Sequence, residues 1–359
     1  MNKEKVIPIM FTCDDKYIPF LAVTLNSMEE NASKKYKYEI KVLHTNNINA
    51  ENQKKILKNY SNDIFQIEFV DISSCVEIFA NKLHTRDYYS KATYYRLFIP
   101  NLYKEYDKVL YLDSDLVVKG DISELYNTQL GENFVAAAPD DFVASTPILW
   151  DYVENHIPLG KGNHSKYFNA GVLLMNTKKL RKIDFEGKFI DLLSKVKFDV
   201  AQDQDYLNCI CRGKVKYLSL AWDKQPFPMK NLREKDVKIF HYNLDLKPWQ
   251  KDGILYEDYF WDYAKQTEFF DEIMARKAGF TPEMVEVAAK QTENLVNMII
   301  SQANDVVENA RIKKIVDAIF IDKDSPLIKK VVVTSEFEEE FDLLDDIVNV
   351  TSDPEKQKR

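Results

Sequence analysis

The stretch Lys108-Val-Leu-Tyr-Leu-Asp-Ser-Asp-Leu-Val-Val118 constrains the fold of this 359-residue chain more than any other. Val109 to Leu112 are β-branched, aromatic or leucine, which reads as a buried strand. Two carboxylates, Asp113 and Asp115, stand at its carboxyl end. On an extended chain, residues two apart point the same way, so both can converge on one point. Acids brought together at the lip of a buried strand repel unless a cation lies between them. A hard divalent ion such as Mn²⁺ or Mg²⁺ suits carboxylate oxygens and leaves room for phosphate oxygens.

An Asp-x-Asp triplet alone is weak, because solvated turns produce it by chance. The apolar runs on both sides weigh against a solvated turn here. Two enzyme classes use the arrangement. Nucleotide-sugar glycosyltransferases hold a metal on a diphosphate with it. Phosphatases of the haloacid-dehalogenase type carry a strand followed by a pattern that Asp113-Ser-Asp-Leu-Val117 also fits.

Composition narrows the field. The chain is 45% hydrophobic, enough for one large catalytic domain and an appended segment. Seven acids between 336 and 346 account for nearly all of the net charge of −8. The remainder is close to neutral, which gives no footprint for nucleic acid. Cys13, Cys75, Cys209 and Cys211 show no Cys-x-x-Cys spacing and fit a reducing cytosol. No signal peptide and no run long enough to span a bilayer is read.

In chain order, 6–12, 38–45 and 64–71 read as strands, and 18–31 and 50–60 as helices. Alternating strands and helices predict parallel β-α-β units around one sheet. Ligands then bind outside the carboxyl ends of the strands. That rule marks Thr12-Cys-Asp-Asp-Lys-Tyr17 after the first strand and the acidic triplet after the fourth. The stretch 90–100 reads as a helix ended by Pro100. Arg96 within it faces either solvent or, inward, an anionic ligand, and spacing alone leaves both open. The stretch 134–138 reads as a strand ending at Pro139-Asp140-Asp141. In Tyr167-Phe-Asn-Ala-Gly-Val172, small Ala170 and Gly171 allow close approach of backbone to a ligand, and Asn169 beside them is both donor and acceptor. A helix is read over 183–196. Asp203 and Gln204 stand near another helix start, where capping is the plainer role. His241 ends a strand, where it is either a hydrogen-bonded core residue or a third metal ligand, while Lys247 can neutralise a diphosphate.

Beyond residue 275 the character changes. Thr281-Pro282 reads as an N-cap and N1 pair opening a helical pattern that runs to about residue 320. A short strand at 329–334 and a disordered end from 352 are expected. The resulting division is a catalytic domain over 1–270, a helical extension over 271–334 and an acidic, partly disordered tail over 335–359. The extension is expected to pack on the catalytic domain, on a second copy or on a protein partner.

Six motifs occur in a familiar order: Thr12 to Tyr17, Ser90 to Arg96, Tyr111-Leu-Asp-Ser-Asp115, Tyr167 to Val172, Gln202-Asp-Gln-Asp205 and His241-Tyr-Asn-Leu-Asp-Leu-Lys-Pro-Trp249. Together, over roughly 6–265, they resemble glycosyltransferase family 8, which includes bacterial lipopolysaccharide hexosyltransferases and glycogenin. The phosphatase pattern instead needs its acids on the first strand, and here three strand–helix units precede them. The resemblance implies an α/β GT-A fold: a Rossmann-like mixed sheet flanked by helices. It implies a retaining, metal-dependent transferase of cell-surface polysaccharide synthesis that moves glucose or galactose from a UDP-sugar to a saccharide, lipid-linked or protein-linked acceptor.

Carried over by motif, Asp113, Asp115 and His241 bind Mn²⁺ (or Mg²⁺). Lys247 contacts the diphosphate. Thr12 and Asp14 bind uracil, with Tyr17 stacking there. Arg96, Ser114, Asp140, Asn169, Ala170 and Gly171 complete the donor site, and Asp203 and Gln204 act in catalysis. The chain departs from the family pattern at Lys16, where Asn is frequent, and at Leu244, where Gly is frequent. A sugar-nucleotide hydrolase or phosphatase, and a non-catalytic sugar-nucleotide-binding protein, are the other readings. The acidic tail is repelled by anionic membrane, so a cytoplasmic enzyme, at most peripheral to the membrane, is expected.

Overall fold

The strand Val6–Thr12 (β1) carries apolar side chains at almost every position and is buried along its length, as a central parallel strand requires. It pairs in parallel with Lys37–His44 (β2) on one side and Val109–Leu112 (β4) on the other. Phe65–Asp71 (β3) adds to β2, again in parallel. Helices Ile18–Asn31 (α1) and Ala50–Tyr60 (α2) make the crossovers, and the Asn49 side chain caps the second by accepting from the Glu51 amide. The computed structural model describes residues 5–77, 91–229 and 231–320.

Strands Val135–Ala137 (β6), Val172–Met175 (β7) and Val215–Tyr217 (β8) complete a seven-stranded mixed sheet in the order β3-β2-β1-β4-β7-β6-β8. The β4–β7 pair is antiparallel, with Leu112 opposite Val172. That register brings the loop before β7 against the loop after β4, and the Asp113 amide donates to the Gly171 carbonyl at 2.8 Å. A separate antiparallel pair, Leu116–Val118 (β5) with Ile239–His241 (β9), sets Leu116 opposite His241. The topology therefore delivers four separate stretches of chain to one edge of the sheet.

The acidic triplet departs from the simple strand expectation. β4 ends at Leu112, and residues 113–115 form a bend before β5. The bend, rather than the pleat, turns both carboxylates inward. Thr24 of α1 holds it, donating to the Leu116 carbonyl at 2.8 Å and accepting from the Leu116 amide at 3.1 Å.

The stretch read as a helix over 90–100 also differs. Lys91–Phe98 is a 3₁₀ helix, and Pro100 sits in the first turn of the following helix Ile99–Leu102 instead of ending one. Proline is tolerated there because a first-turn amide has no intrahelical partner. Ser90 lies outside the described residues.

The helix Pro282–Asn304 begins as read, with Thr281 accepting from the Met284 amide, and Val306–Phe320 follows it. Residues through Val316 belong to one compact unit. The strand read at 329–334 and the acidic tail lie outside the described residues.

Candidate active site

All fifteen residues singled out above as ligands, donor contacts or catalytic groups line one cavity of about 190 Å³ at the carboxyl ends of β1 and β4. Its centre is Asp113, Asp115 and His241, whose ligand atoms all lie within 4.8 Å of one another.

The hydrogen bonds of these three residues leave one atom of each facing the others. Asp113 Oδ1 accepts from the Tyr111 hydroxyl at 2.6 Å and pairs with Arg96 Nη2 at 3.0 Å. Its Oδ2 is left 3.7 Å from His241 Nε2. Asp115 Oδ2 is held by the Lys247 ammonium. Asp115 Oδ1 is buried and makes no hydrogen bond; its neighbour is His241 Nε2 at 3.4 Å, too long and bent for one. His241 Nδ1 lies 2.9 Å from Asp223 Oδ1, which keeps a proton on Nδ1 and turns Nε2 toward the acids.

Two carboxylate oxygens and an imidazole nitrogen of this kind fit Mn²⁺ or Mg²⁺. Gly171 gives a second sign of a built cradle. A Cβ there would fall 2.3 Å from His241 Cε1 and 2.8 Å from Asp113 Oδ2.

Electrostatics agree with a cation site. Burial works to lower the His241 pKa, but Asp223 and Asp115 outweigh it and lift the value to about 10. Burial would raise Asp115, yet Lys247 and His241 hold it well below the usual carboxylate range. A proton on Nε2 thus occupies the place that suits a divalent ion.

Arg96 faces inward and is 4% exposed. Its guanidinium spans Asp113 and Asp203, with Nε 3.0 Å from Asp203 Oδ2, donates to the Ala170 carbonyl and lies over the Tyr111 ring. Asp203 opens the helix Asp203–Ile210 but is not its cap, a position held by Gln202. Burial, opposed by Arg96, raises the Asp203 pKa to about 6.

Asp140, Asn169 and Gln204 form a network. Asp140 Oδ2 accepts from Asn169 Nδ2 and Gln204 Nε2, both at 3.0 Å. Gln204 Oε1 accepts from the Ala170 amide at 2.9 Å, and Asn169 Oδ1 from the Gly171 amide at 2.8 Å. At the other side of the acids, Thr12 shares a 2.8 Å hydrogen bond with the Tyr111 hydroxyl. Ser114 donates to the Thr12 carbonyl, and Asp14 accepts from the Tyr17 amide. Leu244 lies in the left-handed region at φ +55°, which costs a leucine about 1–2 kcal/mol.

Sequence reasoning missed Tyr111 and Asp223, which hold Asp113 and His241 from behind, and two residues of the Pro282–Asn304 helix that line the cavity, Leu295 and Ile299. Tyr111 carried a signal, because it lies on β4 only two residues before Asp113. Asp223 carried none: the pairing of Lys224 with β9, through amide bonds to Ile239 and from His241, is what brings it to the ring.

The chain matches the glycosyl transferase family 8 profile over residues 8–253. It is 31% identical to a putative glycosyltransferase of Haemophilus influenzae over 254 residues, 68% of this chain and 73% of that protein. It is 31% identical to the lipopolysaccharide 1,3-galactosyltransferase of Salmonella typhimurium over 176 residues, 45% of this chain and half of that one. Among solved structures, it aligns with the galactosyltransferase LgtC in complex with donor and acceptor sugar analogues at a TM-score of 0.61 and 28% identity, covering 73% of this chain and 96% of that one. The bifunctional glycosyltransferase WbbM aligns at 0.64 and 27% identity, over 77% of this chain and 53% of that one. No helix among the described residues is long and apolar enough to cross a membrane. With the match running from the first strand past the third acid–imidazole partner, this chain belongs to glycosyltransferase family 8 and has the GT-A fold.

Proposed function

We propose that the protein transfers a hexose, glucose or galactose, from a UDP-sugar to a saccharide or glycoconjugate acceptor with retention of configuration, using Mn²⁺ or Mg²⁺ held by Asp113, Asp115 and His241. The observation that carries this reading is the convergence of Asp113 Oδ2, Asp115 Oδ1 and His241 Nε2 while protein partners hold the other three polar atoms. When bound, such a cation acts as a Lewis acid that offsets charge on the departing diphosphate.

The chain's own residues supply the rest. Lys247, buried beside Asp115, adds positive charge where the diphosphate lies. Thr12, Asp14 and Tyr17 hold the base at the end of β1, and Asp140 and Asn169 hold sugar hydroxyls. Gln204 is fixed at both ends of its amide, and its Oε1 keeps a second lone pair for the sugar. Asp203 is compensated by Arg96, which leaves it a poor nucleophile. That pairing supports front-face attack: the C1–O bond to UDP breaks, the acceptor oxygen bonds to C1 on the same face, and the departing phosphate oxygen takes the acceptor's proton. Gln204 and Asp203 stabilise the positive charge that develops on the sugar.

The test is UDP release across a panel of UDP-sugars with Mn²⁺, with and without EDTA, repeated on the Asp113→Ala, Asp115→Ala double variant. Release from one UDP-hexose that needs the metal and disappears in the variant is the expected result. Absence of both release and Mn²⁺-dependent UDP binding would leave only a scaffold without the chemistry.

A further inference from the structure

The cavity that holds the acids is also lined by Phe142, Val143, Leu149, Val153, Leu295 and Ile299. None of these side chains offers a hydrogen bond. Tyr152 and Tyr167 line it as well, and both donate their hydroxyls to Asp205, at 2.9 and 2.5 Å. Leu295 and Ile299 come from the helix Pro282–Asn304, which packs against Pro147–Leu149 and Tyr152–His156. This helix lies beyond the family match, which ends at residue 253.

The helix is a fixed wall. Asn309, just after it, pairs its Oδ1 with His156 Nδ1 at 2.8 Å and donates from Nδ2 to the Ala303 carbonyl at 3.0 Å. Arg311 donates to the Lys195 carbonyl, and Ile312 and Val316 are fully buried. On the helix itself, Leu295 and Ile299 stand four residues apart on the face turned to the cavity, and Gln291 and Thr292 occupy the next turn of that face further out. Ile299 is 1% exposed in the cavity, whereas Met284 is 48% exposed. The apolar track is thus the cavity end of this face, Leu295 and Ile299 together with Phe142, Val143, Leu149 and Val153, and runs about 6 Å along the helix at 1.5 Å per residue.

Resting on the transferase reading above, we propose that this track receives a hydrocarbon group on the acceptor, so that the accepting hydroxyl belongs to an alkyl- or prenyl-type glycoconjugate. A peptide would bring amides, and a longer glycan hydroxyls, that these side chains cannot satisfy. A hydrocarbon chain brings neither. The helix carries Glu283, Glu286 and Glu293 against Lys290, so an anionic bilayer surface is a poor occupant. Continuity with the acid cluster commits the track to the substrate that must reach it.

The experiment measures binding of n-alkyl glucosides, from methyl to octyl and below micelle formation, to the full-length protein by calorimetry. Affinity is expected to rise about fourfold for each methylene that becomes buried. Leu295→Gln should flatten that dependence, while Leu295→Met retains it, and melting curves confirm that both variants fold. A chain-length-independent affinity overturns the proposal, as does a wild-type slope in Leu295→Gln. A wild-type dimer that Leu295→Gln dissociates overturns it too, since the face would then be a self-association surface. The UDP-release assay fails or succeeds independently: loss of release with an intact chain-length slope rejects the transferase reading and keeps the hydrocarbon site.

Discussion

Asp223 Oδ1 lies 2.9 Å from His241 Nδ1, and both side chains are almost completely buried. This contact decides which face of the imidazole meets Asp113 and Asp115. It also lets a short segment with no apparent chemistry of its own, 222–225, govern the metal site. Asp223→Ala is expected to weaken Mn²⁺ binding by about 10- to 100-fold, as loss of such partners does. Asp223→Asn should lose less, because its amide oxygen still accepts from Nδ1. Titration calorimetry or the Mn²⁺ paramagnetic signal reads both. Equal affinity in Asp223→Ala and wild type would reject the role.

Gly171 tests the same cradle from the opposite side. A methyl group placed 2.3 Å from His241 Cε1 forces the ring or Asp113 to move. Gly171→Ala should cut Mn²⁺ affinity at least tenfold, while overpacking costs about 1–3 kcal/mol of stability. A folded variant with wild-type metal affinity would show that the ligands are not preset by this glycine.

Much of this architecture was legible because it is local. β1, α1 and α2 were read at their observed bounds, since a buried apolar strand and a helix of regular apolar spacing each announce themselves within a few residues. The three metal-cluster residues lie at strand ends, where the sheet rule places ligands. What escaped depends on long-range pairing. Asp223 reaches His241 only through the bridge between Lys224 and Phe240, and Leu295 reaches the cavity only because Asn309 and Arg311 anchor the helices behind it. The inward turn of Arg96 was undecided on spacing, because an arginine in an aromatic run has the same pattern on either face. Leu244 adopts the positive φ that a glycine would take without strain.

Asp205 gives the molecule a pH dependence away from the acid cluster. It accepts from Tyr167, Tyr152 and the Ala201 amide, yet burial outweighs those bonds and raises its pKa to about 6. A carboxyl raised in the folded state keeps its proton after the unfolded chain has lost its own near pH 4. Its stabilising contribution is therefore full below about pH 4 and is lost as pH rises through 6. Between pH 5 and 7.5 wild type should lose about 1 kcal/mol relative to Asp205→Asn, whose amide does not titrate. Any constant cost of the amide cancels in this difference. Denaturant midpoints at the two pH values measure it, and a difference that stays constant would mean the carboxyl is ionised throughout.

Asp203 and Gln204 are adjacent in sequence but held differently, and their variants should separate binding from chemistry. Gln204 is tied to Asp140 and to the Ala170 amide, so its position does not depend on the metal cluster. Asp203 is tied to Arg96, which also grips Asp113, so its loss disturbs the charge balance beside a ligand. If both act on charge that develops at the sugar, Gln204→Ala and Asp203→Asn should each lower kcat by about 10²–10³. UDP affinity should fall by less than threefold in Gln204→Ala and somewhat more in Asp203→Asn, where Arg96 is freed to turn wholly toward Asp113. Steady-state kinetics beside UDP titrations supply the comparison. If kcat and UDP affinity fall together in Gln204→Ala, the residue positions the nucleotide and the charge-stabilising role is lost.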